Sequence, residues 1–122
     1  MAVLNRILLY TKDIPGMVAF YSAHFGYRAA CDPSDRVIDL VPATGGAVLM
    51  LHPAAKGQKQ GQVQCKLVFD VADVAVARHR LLAAGVAVGP VLQGDGYGFA
   101  NLKDPSGNAL SISERWQKPP AP

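Results

Sequence analysis

The side chains best placed to do chemistry lie at alternate positions of strand-like stretches. The stretch RILLYT begins at Arg6 and ends at Thr11, and its alternation puts three residues on one face: Arg6, Leu8 and Tyr10. The opposite face is apolar enough to pack on a helix, so these three side chains are expected to point into a pocket. A guanidinium suits a carboxylate or phosphate, whereas an aromatic ring suits an apolar ligand.

Three later strands are expected to add side chains to the same pocket. The expected contributors are Met50 and His52 from VLMLHP, Gln64 and Lys66 from QCKLVFD, and Ser111 from ALSIS. His24 and His79 fall on predicted helices, which leaves His52 as the histidine expected to point into the pocket. Other interpretations stay open: an ion pair of Arg6 with Asp39, a surface position for Lys66, and a solvated strand end at His52.

The elements that must position these residues follow one order twice: strand, helix, three strands. Asp13 and Asp73 are placed to cap two helices, and Gly26 and Gly85 to end them. The two aspartates are 60 residues apart. The expected strands are Val3–Thr11, Tyr27–Cys31, Arg36–Val41, Ala47–Leu51, Val63–Asp70, Val86–Leu92, Gly98–Lys103 and Ala109–Ser113. This pattern predicts one α+β domain of two βαβββ modules, at about 1–53 and 63–115, joined by a Gly/Gln-rich linker at about 54–62.

Three stretches of the sequence resemble the vicinal oxygen chelate superfamily, which includes glyoxalases, ring-cleaving dioxygenases, fosfomycin-resistance enzymes and bleomycin-binding proteins. LLYTKDIPGMVAFYSAHFGY resembles the opening unit of that superfamily. FDVADVAVARHRLLAAGV and LKDPSGNALSISE resemble its second half, with a DPxGN turn between the last two strands. The resemblance implies that paired modules form a cup-shaped sheet and that the chain is a homodimer.

The resemblance also implies where a metal would bind. Enzymes of the superfamily hold a divalent ion through His or Glu at four positions, which align here with Arg6, Met50, Gln64 and Ser111. None of the four is an ordinary ligand of such ions. A guanidinium stays protonated, and it would oppose a dication about 4 Å away by roughly 8 kcal/mol at an effective dielectric constant of about 20. We therefore expect no metal and no other cofactor.

The sequence thus predicts a metal-free pocket for a small organic ligand, anionic or zwitterionic, and leaves open whether the protein is an enzyme. One alternative is a metal-dependent lyase or dioxygenase of the same superfamily. Another is a non-catalytic, drug-sequestering resistance protein.

Composition excludes several other partners. The 122 residues are 50% hydrophobic and 17% charged, with a net charge of +3 and no basic cluster of the kind that binds nucleic acid. No apolar run is long enough to cross a membrane.

Cys31 and Cys65 are expected to be buried thiols in a reducing cytoplasm. The C-terminal WQKPPAP is expected to fray, with Trp116 either capping the pocket or packing against another subunit.

Overall fold

The structure, a computed structural model, describes residues 4–62 and 65–118. The chain divides into two compact units, Met1–Gln62 and Val63–Pro122. Each unit has a strand, a helix and three further strands in that order, and each forms one four-stranded sheet. The predicted α+β class with two βαβββ units is confirmed.

In the first unit, the first and last strands pair in parallel, and the helix belongs to the chain segment that connects them. Its elements are β1 (Arg6–Thr11), α1 (Ile14–Phe25), β2 (Tyr27–Ala30), β3 (Ile38–Pro42) and β4 (Val48–Pro53). The strand order is β1-β4-β3-β2. β1 and β4 are parallel, and the other pairs are antiparallel. The long crossover that a parallel pair requires contains α1 and the β2–β3 hairpin.

Local signals set both ends of α1, as the sequence predicts. The Asp13 carboxylate accepts a hydrogen bond from the Gly16 amide at 2.9 Å. Gly26 follows the helix with a φ of 68°, the left-handed conformation that lets the chain turn directly into β2.

The core of the first unit lies between α1 and one face of its sheet. Met17 and Tyr21 of α1 are fully buried, as are Leu40 and Leu51 of the sheet. Leu49 is 2% exposed. Burying side chains of this size is worth about 1.5 to 3 kcal/mol each, so this face holds the helix and leaves the opposite face exposed.

The second unit repeats the arrangement with one short edge strand. Its elements are β5 (Leu67–Asp70), α2 (Val74–Ala83), β6 (Leu92–Gln93), β7 (Gly98–Lys103), β8 (Ala109–Ser113) and a 3-10 helix (Arg115–Gln117). The strand order is β5-β8-β7-β6.

The expectation of a strand at Val86–Leu92 is wrong for most of that range. Pro90 has no N–H for a ladder and interrupts the pairing. Before it, the segment makes one isolated bridge, between Val88 and Leu102, and the Gly89 amide donates to the Asn101 carbonyl at 2.8 Å. Regular pairing with β7 is restricted to β6.

The DPSGN turn owes its shape to one buried carboxylate. Asp104 is 5% exposed. Its Oδ1 accepts hydrogen bonds from the amides of Ser106 at 2.9 Å and Asn108 at 3.0 Å, and its Oδ2 accepts one from the Asn108 side chain at 2.8 Å. These bonds fix the path from β7 into β8, the strand that carries Ser111.

Two expectations about single residues are wrong. Cys31 and Cys65 are free but exposed, because each lies just outside a strand rather than within a packed face. Within the C-terminal segment that was expected to fray, Trp116 is held: its indole N–H donates to the Val71 carbonyl at 3.0 Å, although the residue is 57% exposed. Residues 119–122 of that segment lie outside the described residues. Over the described ranges, no helix has the length and apolarity needed to cross a membrane.

Candidate functional site

The exposed face of the first sheet brings together the residues predicted from the first module. Residues paired across neighbouring strands point to the same side of a sheet. Leu8 pairs with Met50, Met50 with Asp39, and Tyr10 with His52. We call this surface the first-unit face and define it by Arg6, Leu8, Tyr10, Asp39, Met50 and His52.

The first-unit face offers apolar surface at its centre. Leu8 is 38% exposed and Tyr10 is 49% exposed, whereas the intervening Leu9 is 8% exposed. Residues paired side by side across neighbouring strands form a row, and Met50 lies half-buried between Leu8 and Asp39 in one such row. A thioether beside aliphatic and aromatic groups adapts to apolar ligands of different shapes.

An aromatic pair forms one end of this face. The rings of Tyr10 and His52 lie 5.3 Å apart between centroids, with a tilt of 58°. Nδ1 of His52 lies 2.8 Å from the backbone carbonyl of Pro53. The pair presents aromatic surface together with two polar groups, the Tyr10 hydroxyl and Nε2 of His52.

The opposite end of the face carries an ion pair. Nη1 of Arg6 lies 3.4 Å from Oδ2 of Asp39, and these side chains are 56% and 38% exposed. Arg6 therefore makes the structural contact that the sequence left as an alternative. Exposed pairs of this kind contribute about 0 to 1 kcal/mol, and a guanidinium has five N–H donors. The ion pair leaves Arg6 able to contact a ligand.

The corresponding side of the second sheet has a different surface. Val68 pairs with Ser111, and Ser111 pairs with Asn101. Ser111 is only 4% exposed, and its hydroxyl donates to the Ile112 carbonyl at 3.5 Å. Nζ of Lys66 donates to Oδ1 of Asn101 at 2.9 Å. We call Lys66, Val68, Asn101 and Ser111 the second-unit face.

The hydrogen-bond register identifies which positions of the two units correspond. Leu8 is paired with Met50 as Val68 is paired with Ser111. Arg6 lies two residues before Leu8, so its counterpart is Lys66, two residues before Val68. Gln64, which was aligned with that position, lies outside the described residues. The 60-residue separation of Asp13 and Asp73 is the sequence signal that leads to Lys66.

Each face thus holds a cation bound to a side-chain oxygen of its unit's third strand. Arg6 contacts Asp39 of β3, and Lys66 contacts Asn101 of β7. Sequence reasoning named Asp39 but missed Asn101. Alternation within GFANLK would have put Asn101 on the same side as Phe99 and Lys103.

These residues do not fit the divalent metal of the superfamily's enzymes. The guanidinium of Arg6 and the ammonium of Lys66 have no lone pair to donate. The Met50 thioether is a soft ligand, and the enzymes use hard or borderline ions. Across residues 4–62 and 65–118, no three His, Cys, Asp or Glu side chains cluster in a way that could hold a metal.

An open cavity of about 560 Å³ lies at one end of the first sheet. It is formed where β1 leads into α1 and where β4 leads into the linker, and its lining includes Lys12 and Lys56. Thr11 and Pro53, which also line it, directly follow Tyr10 and His52 in the chain. The cavity therefore lies at the same strand ends as the aromatic pair, and Leu8 and Met50 are not among its lining residues.

The sequence model of one protein family, the Glyoxalase/Bleomycin resistance protein/Dioxygenase superfamily, matches residues 3–112 of this chain. The chain belongs to this superfamily. No curated protein matches it by sequence.

Several solved structures share the fold over nearly the whole chain. The antibiotic binding protein TnmS3 from Streptomyces sp. CB03234 is 21% identical, with a TM-score of 0.76 over 92% of this chain and 94% of that one. A superfamily member from Sphaerobacter thermophilus is 19% identical, with a TM-score of 0.75 over 93% and 97%. The virulence protein STM3117 from Salmonella typhimurium is 19% identical, with a TM-score of 0.71 over 93% and 96%. At these identities the likeness concerns the fold.

Proposed function

We propose that this member of the superfamily binds a small organic ligand on the first-unit face without a divalent metal. The observation that carries the proposal is a cation at matched positions of both units, Arg6 and Lys66. The superfamily resemblance aligns the first of them, Arg6, with a metal ligand. A fixed positive group can attract a ligand oxygen as a metal would, but it cannot coordinate one.

The apolar part of the ligand is proposed to cover Leu8, Tyr10 and Met50. Covering apolar surface contributes about 25 cal/mol per Å² before the costs of association are subtracted. Leu8 and Tyr10 are both more than a third exposed, so this face has apolar area to offer.

The polar part of the ligand is proposed to contact the Arg6–Asp39 pair. A carboxylate can accept hydrogen bonds from the guanidinium in bidentate geometry, while an amine can donate to Asp39. A zwitterion satisfies both groups, whereas a simple anion must share Arg6 with Asp39. On the second-unit face, Lys66 is proposed to contact an anionic group in the same way.

A non-catalytic, drug-sequestering role is the second candidate. It is supported by the shared fold with TnmS3, which is described as an antibiotic binding protein. Sequestration predicts that a bound compound is recovered unchanged, whereas an enzyme would release a product.

We further propose that the protein is a homodimer in the cytoplasm. The superfamily resemblance supports the dimer, and two free, exposed cysteines favour a reducing compartment. Native mass spectrometry should give twice the mass of the chain, and a monomer at micromolar concentration would contradict the dimer.

The metal-free proposal is tested by metal analysis after exposure to zinc, nickel, manganese and iron(II), followed by buffer exchange. We expect less than a tenth of an equivalent of each ion to remain. One tightly held equivalent per chain would overturn the proposal.

The ligand proposal is tested with 2-naphthoate, which joins an aromatic body to a carboxylate. Arg6→Ala should weaken its binding by about 1.5 to 3 kcal/mol, because a charged hydrogen bond is lost. Asp39→Asn is the matched control and should strengthen binding, because it removes the group that competes for Arg6. Equal affinity in all three proteins, measured by calorimetry, would remove Arg6 from the site.

A further inference from the structure

We infer that His52 selects ligands that present an O–H or N–H donor on a planar aromatic ring, a chemistry typified by phenols. This inference rests on the proposed function of the first-unit face and names the class of ligand that it takes.

The hydrogen bond to Pro53 fixes the tautomer of His52. A backbone carbonyl can only accept a hydrogen bond, and Nδ1 lies 2.8 Å from the Pro53 oxygen. The proton of the neutral ring is therefore on Nδ1. Nε2 then carries a lone pair and acts only as an acceptor.

The partner that Nε2 takes must come from outside the described residues. The polar contact of His52 within residues 4–62 and 65–118 is the Nδ1 bond to Pro53. Tyr10, the row partner of His52, approaches it through ring faces and edges at a tilt of 58°. Nε2 of the free protein is thus expected to bind water, and a ligand that displaces this water must replace its hydrogen bond.

The ring of Tyr10 determines the shape of the group that can reach Nε2. Tyr10 is 49% exposed and lies 5.3 Å from His52 between ring centroids, so a flat ring can pack on it in offset or edge-to-face geometry. A hydroxyl or N–H at the edge of that ring can then donate to Nε2. An ether oxygen in the same place would face the Nε2 lone pair, and the acceptor would lose its water without compensation.

Charged groups near His52 do not change this selection. Tyr10 is the titratable side chain that packs against it, and Arg6 and Asp39 belong to other rows of the sheet. Lys12 and Lys56 line the cavity at the same strand ends, where they face solvent. The selection depends on the direction of one hydrogen bond.

A matched pair of probes tests the inference: 2-naphthol, which has a donor, and 2-methoxynaphthalene, which does not. At about pH 8 histidine side chains are ordinarily neutral, and we expect 2-naphthol to bind about 3- to 10-fold more tightly, the value of one hydrogen bond. His52→Phe keeps a flat ring but removes the acceptor, so the two probes should then bind equally. His79→Phe, on the exposed surface of α2, is the control and should keep the preference.

The outcomes separate this inference from the proposed function. If the wild-type protein binds both probes equally and the NMR signals of Tyr10 shift, the selection by His52 is overturned and the binding face stands. If neither probe nor 2-naphthoate binds, the proposed function is overturned together with the inference.

A second measurement does not depend on a ligand or on the folding of a variant. Long-range ¹H–¹⁵N correlation spectra distinguish the two neutral tautomers of histidine. We expect His52 to have its proton on Nδ1, and a spectrum with the proton on Nε2 would overturn the inference.

Discussion

The two exposed sheet faces have the same framework and different surfaces. The row that holds Leu8, Met50 and Asp39 in the first unit holds Val68, Ser111 and Asn101 in the second. Tyr10 and His52 correspond to Asp70 and Ser113, and Ser113 is 3% exposed. The Tyr10–His52 ring pair and the Met50 thioether thus distinguish the first face, whereas the matching row of the second face has Phe99 opposite Ser113. Both faces keep a cation at its matched position.

This comparison shows which parts of a repeated unit are free to diverge. Buried residues on the helix-facing side are mostly apolar in both units, since each side packs on a helix. Residues on the side away from the helix differ row by row, since they do not pack on the helix of their own unit. Ligand chemistry is therefore decided by a few side chains on a surface whose framework is constant.

The largest expected effects test whether the two frameworks are equivalent. Leu49 and Leu110 occupy matched helix-facing positions and are 2% and 0% exposed. Truncation to Ala should lower the free energy of unfolding by about 2 to 5 kcal/mol at either position, because each leaves a cavity. Urea denaturation measures both losses. Leu8→Ala is the exposed control and should cost less than about 1 kcal/mol; a loss at Leu8 as large as at Leu49 would contradict the assignment of faces.

A smaller effect should distinguish the turns of the two units. Asp104→Ala removes an acceptor from two amides and an Asn side chain in the buried DPSGN turn. We expect a loss of about 2 to 3 kcal/mol, because unsatisfied buried donors remain. The first unit has a similar but exposed arrangement at Asp32, which accepts from the Ser34 amide and hydroxyl. Asp32→Ala should have little effect, and equal losses in the two variants would show that burial is not the cause.

The smallest effect is a pH dependence at this exposed turn. The Ser34 backbone and side-chain hydrogen bonds lower the pKa of Asp32 below its ordinary value. A lowered folded-state pKa stabilises the fold above the unfolded-state pKa, and that contribution is lost as the pH falls through the folded-state value. An NMR titration of Asp32 should show the low pKa, and Ser34→Ala should raise it toward the ordinary value. The backbone amide at position 34 remains in this variant, so an unchanged titration would exclude only the Ser34 hydroxyl as a cause.

Much of the fold was predictable because its signals are local. Asp13 and Gly26 mark the ends of α1 through their own capping and backbone preferences, and Gly98–Lys103 and Ala109–Ser113 were predicted with the observed bounds. The stretch from Val86 to Leu92 has the composition of a strand, but Pro90 limits its pairing. The exposure of Cys31 and Cys65 depends on where neighbouring strands end, which composition does not reveal.

The sequence by itself determined the repeated order of elements, the superfamily and the side of β1 that carries Arg6, Leu8 and Tyr10. These follow from cap residues, turns and period-two alternation, which act over a few residues. Only the tertiary structure decided that Leu8 and Met50 share a row with Asp39 and that Pro53 fixes the tautomer of His52. Row partners depend on the register between strands distant in the chain, and a tautomer depends on one interatomic distance. Neither quantity is encoded in spacing along the sequence.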